Sequence, residues 1–483
     1  MLTQCTQKSF AFHTPQRQQG IAQFNGGHIS SDGGALLLQR TEQRTGILAQ
    51  FARCFTDHRD PELVEHTLLE LLTQRVFGLA LGYEDLNDHD DLRHDPLLAT
   101  VVGKADPTGT GRSRRRDKGK ALAGKSTLNR LELTPVRASR RCRYKKIVVQ
   151  QKAVEQLLID LFLQAHVQPP EQIVLDFDAT DDPVHGNQLG RFFHGYYKHY
   201  CYLPLYVFCG DHLLCAKLRP SNIDAAMGTV KVLRQMVQRI RAIWPQVRII
   251  LRGDSGFCRE QIMAWCEANQ VDYVLGLAKN KRLTAEIDAE LAEAQQRYQA
   301  SGQATRLFKD FTYQTLASWS RPRRVIGKAE HLSQGSNPRF IVTSLGGPPG
   351  ELSCGMDARA LYETLYCARG DMENRIKEQQ LALFADRTSA ATMRANQVRL
   401  WFASIAYTML TALRRLGLKG TALAQAQCQT IRLKLLKIGA LIRVTCRKVW
   451  VSLSQSYPYQ AVFARVWMNL AGAGPPRSQP AVA

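Results

Sequence analysis

The chain has 483 residues, with 64 Lys and Arg against 42 Asp and Glu, so its formal net charge at pH 7 is +22. Hydrophobic residues make up 45% and charged residues 22%, which is ordinary for a globular protein of about two to four structural units. A chain this basic usually meets a polyanion, and nucleic acid is the first candidate; a merely soluble basic surface is the alternative. We expect no membrane anchor, because the most apolar stretch, residues 400–413, is too short to span a bilayer and carries Ser and Thr.

The cysteines indicate a reducing compartment. There are twelve, none forms a Cys-x2-Cys pair, and no Cys/His cluster has zinc-finger spacing. The first sixteen residues contain no apolar core of secretory-signal length. We therefore expect free thiols in the cytoplasm, without disulfides or structural zinc.

Residues 1–100 read as a helical N-terminal region, and residues 101–165 as a basic DNA-binding segment and linker. Within the latter, residues 104–146 hold fifteen Lys/Arg against three acids, which is more than half of the excess charge of the whole chain. Glycines make its first half resemble a flexible arm, and residues 126–132 look helical. Such a segment would neutralise phosphates; a solvated linker is the alternative. The candidate DNA-binding residues here are Arg114, Arg115, Arg116, Lys125, Arg130, Arg140 and Arg141.

Residues 166–280 alternate between strand and helix patterns, which predicts a mixed α/β sheet. Runs rich in β-branched and aromatic residues occur at residues 172–180, 195–210, 212–220, 247–254 and 272–278. Helical patterns occupy residues 221–245 and 258–270. This part is interpreted as the first part of a catalytic core.

The rest of the chain divides into three further parts. Residues 281–340 are polar and uneven, and are interpreted as a β-rich insertion that forms a separate lobe. Residues 341–416 contain a strand and a long helix at about 357–384, and would complete the core. Residues 417–483 are interpreted as a basic helical C-terminal region with a disordered tail.

Acidic residues stand at the ends of two predicted strands. Asp176 and Asp178 alternate with apolar residues and so share one face of the first strand, near its end. Asp254 ends another strand of the same presumed sheet. Carboxylates at the ends of neighbouring strands can converge on one divalent ion, and oxygen ligands suit Mg²⁺ or Mn²⁺.

The long helix carries a stripe of polar residues. At about 100° per residue, Tyr366, Arg369, Glu373, Lys377 and Gln380 fall on one side of the helix. The stripe thus presents one acid flanked by cations. An ordinary amphipathic helix is the equally weighted alternative, since Glu373 and Lys377 are spaced for an i, i+4 ion pair.

Together these motifs resemble the DDE-type transposases of bacterial insertion sequences, in the group with a Tyr-x2-Arg-x3-Glu-x6-Lys signature. Tyr366, Arg369 and Glu373 match its first three positions, but Gln380 stands where the lysine belongs. The pattern Asp-x-Thr selects Asp178, with Thr180, over Asp176, and the stretch Leu251–Phe257, LRGDSGF, resembles the second-aspartate strand of the group and selects Asp254. The resemblance implies a ribonuclease H-like mixed-sheet core with a mostly β insertion, flanked by helical N-terminal and C-terminal regions.

The resemblance also implies a mechanism. Asp178, Asp254 and Glu373 would be the catalytic and metal-binding residues, holding two Mg²⁺ ions, with Mn²⁺ as an alternative. Water and then a 3′-OH would attack phosphate, giving end cleavage followed by strand transfer. Tyr366 and Arg369 would contact DNA, with Lys377 as a candidate substitute for the missing lysine. The partners would be terminal inverted repeats, target DNA and a second protomer, in a bacterial cytoplasm at the nucleoid.

Three other functions account for part of the sequence. A nuclease with the same core would cut DNA without joining it, and an inactive transposase-derived protein would only bind DNA. The letters Gly253-Asp254-Ser255-Gly256 also occur around the nucleophile of serine proteases, but Phe257 stands where that motif needs glycine. Ser255 is therefore interpreted as a helix cap. His185 and His194 are interpreted as structural or DNA-facing residues.

Overall fold

A computed structural model describes residues 10–13, 19–346 and 357–472. Within residues 10–149 the strands are β1 Phe10–His13, β2 Gln19–Ala22, β3 His28–Ser30, β4 Phe55–Asp57 and β5 Ile147–Val149. The helices of this part are α1 Ala35–Thr45, α2 Ile47–Ala52, α3 Leu68–Leu81, α4 Asp88–Leu92, α5 Pro96–Val102 and α6 Lys125–Glu132.

Residues 150–416 contain most of the strands. These are β6 Gln172–Ala179, β7 Asp182–Pro183, β8 Phe192–His194, β9 His199–Tyr202, β10 Leu205–Cys209, β11 His212–Lys217, β12 Arg248–Gly253, β13 Asp272–Leu277, β14 Thr305–Tyr313, β15 Arg323–Leu332, β16 Gly335–Ser336 and β17 Arg339–Thr343. The helices are α7 Gln151–Gln164, α8 Thr229–Ile243, α9 Glu260–Ala268, α10 Lys281–Glu286, α11 Asp288–Ser301, α12 Ala358–Ala360, α13 Gly370–Lys377 and α14 Met393–Leu416.

The C-terminal part contains helices α15 Cys428–Ile431 and α16 Gln460–Ala471, with strands β18 Ala440–Val444 and β19 Val449–Leu453 between them. The chain forms two units. One comprises residues 1–149, 382–384 and 405–483; the other comprises residues 150–381 and 385–404. Among the described residues, no helix has both the length and the apolar character needed to cross a bilayer, and the cysteines there form no disulfide.

A nine-stranded sheet dominates the second unit and confirms the predicted mixed α/β architecture. Its order is β11-β10-β6-β12-β13-β17-β15-β14, with β16 paired to β15. Strands β6, β12 and β13 run parallel to one another, and the pairs on both sides of them are antiparallel. Alternate residues such as Leu175, Phe177 and Leu251 are fully buried, so one face packs on an apolar core to which α8 contributes Leu233 and Ile240.

Residues 281–340 do not form the separate lobe expected from the sequence. Strand β17 pairs antiparallel with β13, and β15 and β14 follow outward, so these strands continue the central sheet. The physical reason is burial, because Val325, Ile326 and Ile341 are fully enclosed in that position. The same segment also contains the helices α10 and α11.

In the part of the first unit that the structure describes, helices combine with three small sheets. Helix α3 is largely buried and begins with a capping box between Thr67 and Glu70. The expected helical C-terminal region is partly wrong, because β18 and β19 pair with each other and β18 pairs with β3. Period-two burial explains this: Ala440 and Ile442 face inward while Leu441 faces solvent. The predicted disordered tail comprises residues 471–483; Ala471 is the last residue of α16, and residues 473–483 lie outside the described residues.

The basic segment at residues 104–146 is more ordered than the predicted arm. The carboxylate of Asp106 accepts hydrogen bonds from the backbone N–H groups of Thr108, Gly109 and Gly111, which fixes the loop. Helix α6 begins at Lys125, close to the predicted helix, and buries a carboxylate at its end. This is Glu132, which pairs with the buried Arg75 at 2.8 Å.

Candidate active site

Two carboxylates emerge side by side at one edge of the central sheet. Strands β6 and β12 are parallel neighbours in which Phe177 pairs with Gly253, so the next residues are Asp178 and Asp254. Burial raises the pKa of Asp178 to about 6, and the negative charge of Asp254 adds to the increase. The carboxylate pair is therefore a negative site of the kind that favours a cation.

Asp176 has a different partner, although it shares a strand face with Asp178. The guanidinium of Arg252 contacts both of its carboxylate oxygens, at 2.5 and 2.8 Å. Arg252 also donates to the carbonyl oxygen of Leu365, in the helical segment that carries Glu373. Asp176 is thus engaged in a buried ion pair that links two strands to this helical segment. This pairing is a physical reason to prefer Asp178 over Asp176 as a candidate metal ligand.

The segment after β12 corrects the interpretation of Ser255. The Asp254 carboxylate accepts a hydrogen bond from the backbone N–H of Gly256 at 2.9 Å and so caps the short turn Ser255–Phe257. Ser255 is exposed and supplies no cap. The aspartate rather than the serine fixes the backbone at this point, which holds its own carboxylate in place.

Glu373 is connected to Asp178 of the carboxylate pair by the guanidinium of Arg369. The helical path is irregular here: π-helical Leu361–Tyr366 and 3₁₀-helical Cys367–Arg369 precede α13. Arg369 lies 2.9 Å from the carboxylate of Glu373 and 4.0 Å from that of Asp178. The i, i+4 ion pair of Glu373 is therefore made with Arg369, not with Lys377 as the ordinary-helix alternative supposed.

Tyr366, the first signature residue, packs against the second aspartate. A Cβ atom placed on Gly276 of β13 would lie 2.6 Å from the Tyr366 hydroxyl oxygen and 3.2 Å from the Asp254 carbonyl carbon. Burial raises the pKa of this tyrosine, and the charge of Arg369 opposes the increase. Gly276 is thus a residue of the site that the sequence did not reveal.

The position of the missing lysine has a structural role. The side-chain amide of Gln380 donates to the backbone carbonyl of Asp181, three residues beyond Asp178, at 3.1 Å. This hydrogen bond connects the helical segment that carries Glu373 to the segment that follows β6. Lys377, one turn earlier, is exposed to solvent.

The donor set fits a divalent cation. No group of three His, Cys, Asp or Glu residues in the described part of the chain is already arranged as a metal centre. Arg369 lies between Asp178 and Glu373, and its positive charge partly balances theirs. Asp178 and Asp254 repel each other, and Arg369 lies between Asp178 and the third carboxylate, Glu373. Three carboxylates supply the oxygen donors that hard cations require.

The remaining predicted residues occupy other places. The basic candidates of residues 104–146 belong to the first unit and are exposed at Arg114, Arg115, Arg116, Lys125, Arg130, Arg140 and Arg141. Lys125 also pairs with Asp90 at 3.5 Å. His185 is exposed, and the ring of His194 lies 4.8 Å from that of Tyr197. A pair missed by the sequence analysis is His199 with Asp181, at 2.8 Å.

Comparison with known families identifies the kind of enzyme to which this geometry belongs. A family model described as transposase DDE domain group 1 matches residues 12–475. The chain belongs to this family of DDE transposases. It is therefore a DDE-type DNA transposase, and enzymes of this type generally use divalent metal ions.

Other comparisons add little to this assignment. A cryo-EM structure of the piggyBac transposase synaptic complex with hairpin DNA matches with a TM-score of 0.41 and 12% sequence identity. That match covers 84% of this transposase and 80% of the other chain. No curated protein matches its sequence.

Proposed function

We propose that this transposase cleaves DNA at the ends of a bacterial insertion sequence and joins the freed 3′ ends to target DNA. The observation that carries the proposal is the placement of Asp178 and Asp254 at adjacent ends of parallel strands, with Glu373 joined to Asp178 through Arg369. Strands β11-β10-β6-β12-β13 also have the order expected of a ribonuclease H-like core.

Asp178, Asp254 and Glu373 are the residues proposed to bind the metal, as two Mg²⁺ ions or Mn²⁺. Bound ions of this kind activate the attacking water or 3′-OH and stabilise the leaving oxygen. The cap formed by Asp254 and the strand position of Asp178 hold their carboxylates before DNA arrives. Arg369 is proposed to turn from these carboxylates to a DNA phosphate, and Tyr366 to contact the backbone beside it.

The proposed partners are the terminal inverted repeats and the target DNA, bound by a homodimer. The exposed basic side chains of residues 104–146 support this proposal, since phosphate contacts supply most of the sequence-independent affinity for DNA. Lys377 would add a further phosphate contact beside the glutamate.

The experiment compares three variants in Mg²⁺-dependent cleavage of duplexes that carry the DNA flanking the coding region. Asp254→Asn and Glu373→Gln should abolish cleavage and retain DNA binding. Asp371→Asn, an exposed acid on the same helix, is the matched control and should cleave normally. Normal cleavage by either of the first two variants would overturn the assignment of the site, and cleavage by the native protein without joining to a target plasmid would identify a nuclease instead.

A further inference from the structure

A strand pair with exposed aromatic rings follows the first catalytic strand. Residues 190–202, here called the aromatic hairpin, contain β8, β9 and the turn between them. Its exposed rings include Tyr196, which is 83% exposed, and Phe193, which is 57% exposed. Phe192 and Tyr200 are 41% and 48% exposed. Large apolar side chains grouped in this way on a surface usually mark a binding site, because water solvates them poorly.

The rings are held in fixed positions. Phe193 and Tyr200 face each other across the two strands with their centroids 5.7 Å apart, and Arg191 lies 4.3 Å over the ring of Tyr200. The turn closes through a hydrogen bond of 2.7 Å from the Lys198 N–H to the carbonyl of His194. The rings therefore present ordered faces to a ligand, at a small cost in conformational entropy.

The charge of the hairpin suits a nucleic acid strand. Residues 190–202 contain one arginine, one lysine and two histidines, and no aspartate or glutamate. Proteins that bind single strands combine cations along the backbone with aromatic rings on which bases stack. An apolar protein partner would explain the rings but not the two cations among them, Arg191 and Lys198.

The hairpin is fastened next to the candidate active site. The hydroxyl of Tyr197 donates to the carbonyl oxygen of Ala179, the residue after Asp178, at 3.4 Å. Tyr197 lies in the turn, and His199, the first residue of β9, pairs with Asp181 at 2.8 Å. A strand end whose phosphate lies at Asp178 would therefore have its neighbouring bases within reach of the exposed rings.

We propose that the aromatic hairpin is a stacking platform for unpaired bases next to the phosphate that is cleaved or joined. The ligand class is a short single-stranded DNA end, recognised through base faces and not through sequence. The inference rests on the proposed function, because it places the scissile phosphate at Asp178, but its test requires no cleavage.

The test measures binding of two probes to the full chain carrying Asp254→Asn. One probe is a mixed-sequence duplex with three unpaired nucleotides at one end, including 2-aminopurine, and the other is the fully paired duplex. Stacking predicts tighter binding of the first probe and quenching of its fluorescence. Phe193→Leu and Tyr196→Leu, which keep apolar bulk and remove the ring, should each lower that preference about tenfold.

The conservative variant Tyr196→Phe should retain both the preference and the quenching, and Leu316→Ala, an 89% exposed apolar residue elsewhere in the same unit, should change neither. Equal weakening of both probes by the leucine variants would show general backbone contact and overturn the platform. If the leucine variants keep the preference for the unpaired probe but change the oligomeric state on size-exclusion chromatography, the hairpin binds a second copy of the chain. That result would also overturn the stacking platform. Failure of the cleavage assignment would appear separately, in the Asp254→Asn assay.

Discussion

Arg252 forms a bidentate ion pair with Asp176, and both side chains are less than one tenth exposed. The two residues are paired in register on the parallel strands β12 and β6, so their contact joins two neighbouring strands of the sheet that carries the candidate site. Arg252 also binds the carbonyl of Leu365. Through this contact, the pair connects the strands of Asp178 and Asp254 to the helical segment that carries Glu373.

Removing one partner of this pair should destabilise the protein strongly. Arg252→Met leaves the Asp176 carboxylate buried without its cation, which costs about 3–5 kcal/mol of unfolding free energy. Urea denaturation measures the loss. The matched control is the exposed pair of Arg297 and Glu293, where Arg297→Met should cost less than about 1 kcal/mol. Similar losses for both variants would contradict a structural role for the buried pair.

The carboxyl of Asp178 should destabilise the fold when it is ionised. Its pKa is about 6 in the folded protein, against an ordinary value of 3.8, so the unfolded chain releases this proton first as the pH rises. Folding stability from this group is therefore lost between about pH 4 and pH 6. Asp178→Asn should be more stable than the native protein by about 2–3 kcal/mol at pH 8 in EDTA.

Denaturation of both proteins across the pH range checks this expectation. The advantage of Asp178→Asn should shrink as the pH falls from 6 to 4, because the native carboxyl becomes protonated. A constant difference over that range would show that ionisation of Asp178 is not its source. Mg²⁺ at pH 8 should narrow the gap, since a bound cation favours the native carboxylate.

Gly276 should be necessary for the position of Tyr366. A Cβ atom here would meet the tyrosine hydroxyl at 2.6 Å and the backbone nitrogen of Ser255 at 2.9 Å, and that backbone atom cannot easily move away. Gly276→Ala should therefore reduce cleavage at least tenfold while the protein remains folded. Gly370→Ala is the control, because nothing lies within 4 Å of its added Cβ and alanine favours a helix. Equal cleavage by the two variants would remove Gly276 from the site.

Local patterns in the sequence predicted the strands that carry the aspartates. The alternation around Asp176 and the apolar run before Asp254 are strand signals of short range, and both strands form where predicted. The pairing of Asp176 with Arg252 was not predicted, because it depends on which strands become neighbours. The continuation of the sheet through β17 was missed for the same reason.

Other elements differ from their predictions because one pattern in the sequence concealed a second pattern. Residues 195–210 were predicted as a single strand because they are rich in aromatic residues, but the structure divides them into β9 and β10 around Pro204, which cannot donate to a ladder. Positive charge in the C-terminal region concealed the period-two pattern of Ala440–Val444. The predicted stripe placed Arg369 and Glu373 on one side of the helix, and the two form an ion pair, although the sequence analysis considered Lys377 as the partner of Glu373 and the helical path contains π and 3₁₀ turns.

Lys377, and not Gln380, should contribute to the salt dependence of DNA binding. Lys377 is exposed and charged, whereas the amide of Gln380 is used by the carbonyl of Asp181. Lys377→Ala should lower the slope of log affinity against log salt by about 0.9, and Lys377→Arg should leave the slope unchanged. Gln380→Ala should not change the slope, although it loses a hydrogen bond worth about 1 kcal/mol. A reduced slope for Gln380→Ala would contradict this division of roles.

The arginines of the basic segment should bind phosphate without supporting the fold. Deletion of residues 104–146 would be a poor test, because it removes the buried Leu128 and the Glu132 carboxylate that pairs with Arg75. Replacement of the exposed Arg114, Arg115 and Arg116 by glutamine avoids this problem and leaves the core intact. The triple variant should weaken binding to duplex ends and reduce the salt slope by up to about 2.7.

Replacement of the same three arginines by lysine is the matched control and should preserve most of the slope, since each phosphate contact keeps its charge. Thermal denaturation should give similar midpoints for all three proteins, because these side chains are exposed. A glutamine variant whose salt slope equals that of the native protein would show that residues 114–116 form a solvated loop. Arg130, Arg140 and Arg141 would then be the next candidates for contact with DNA.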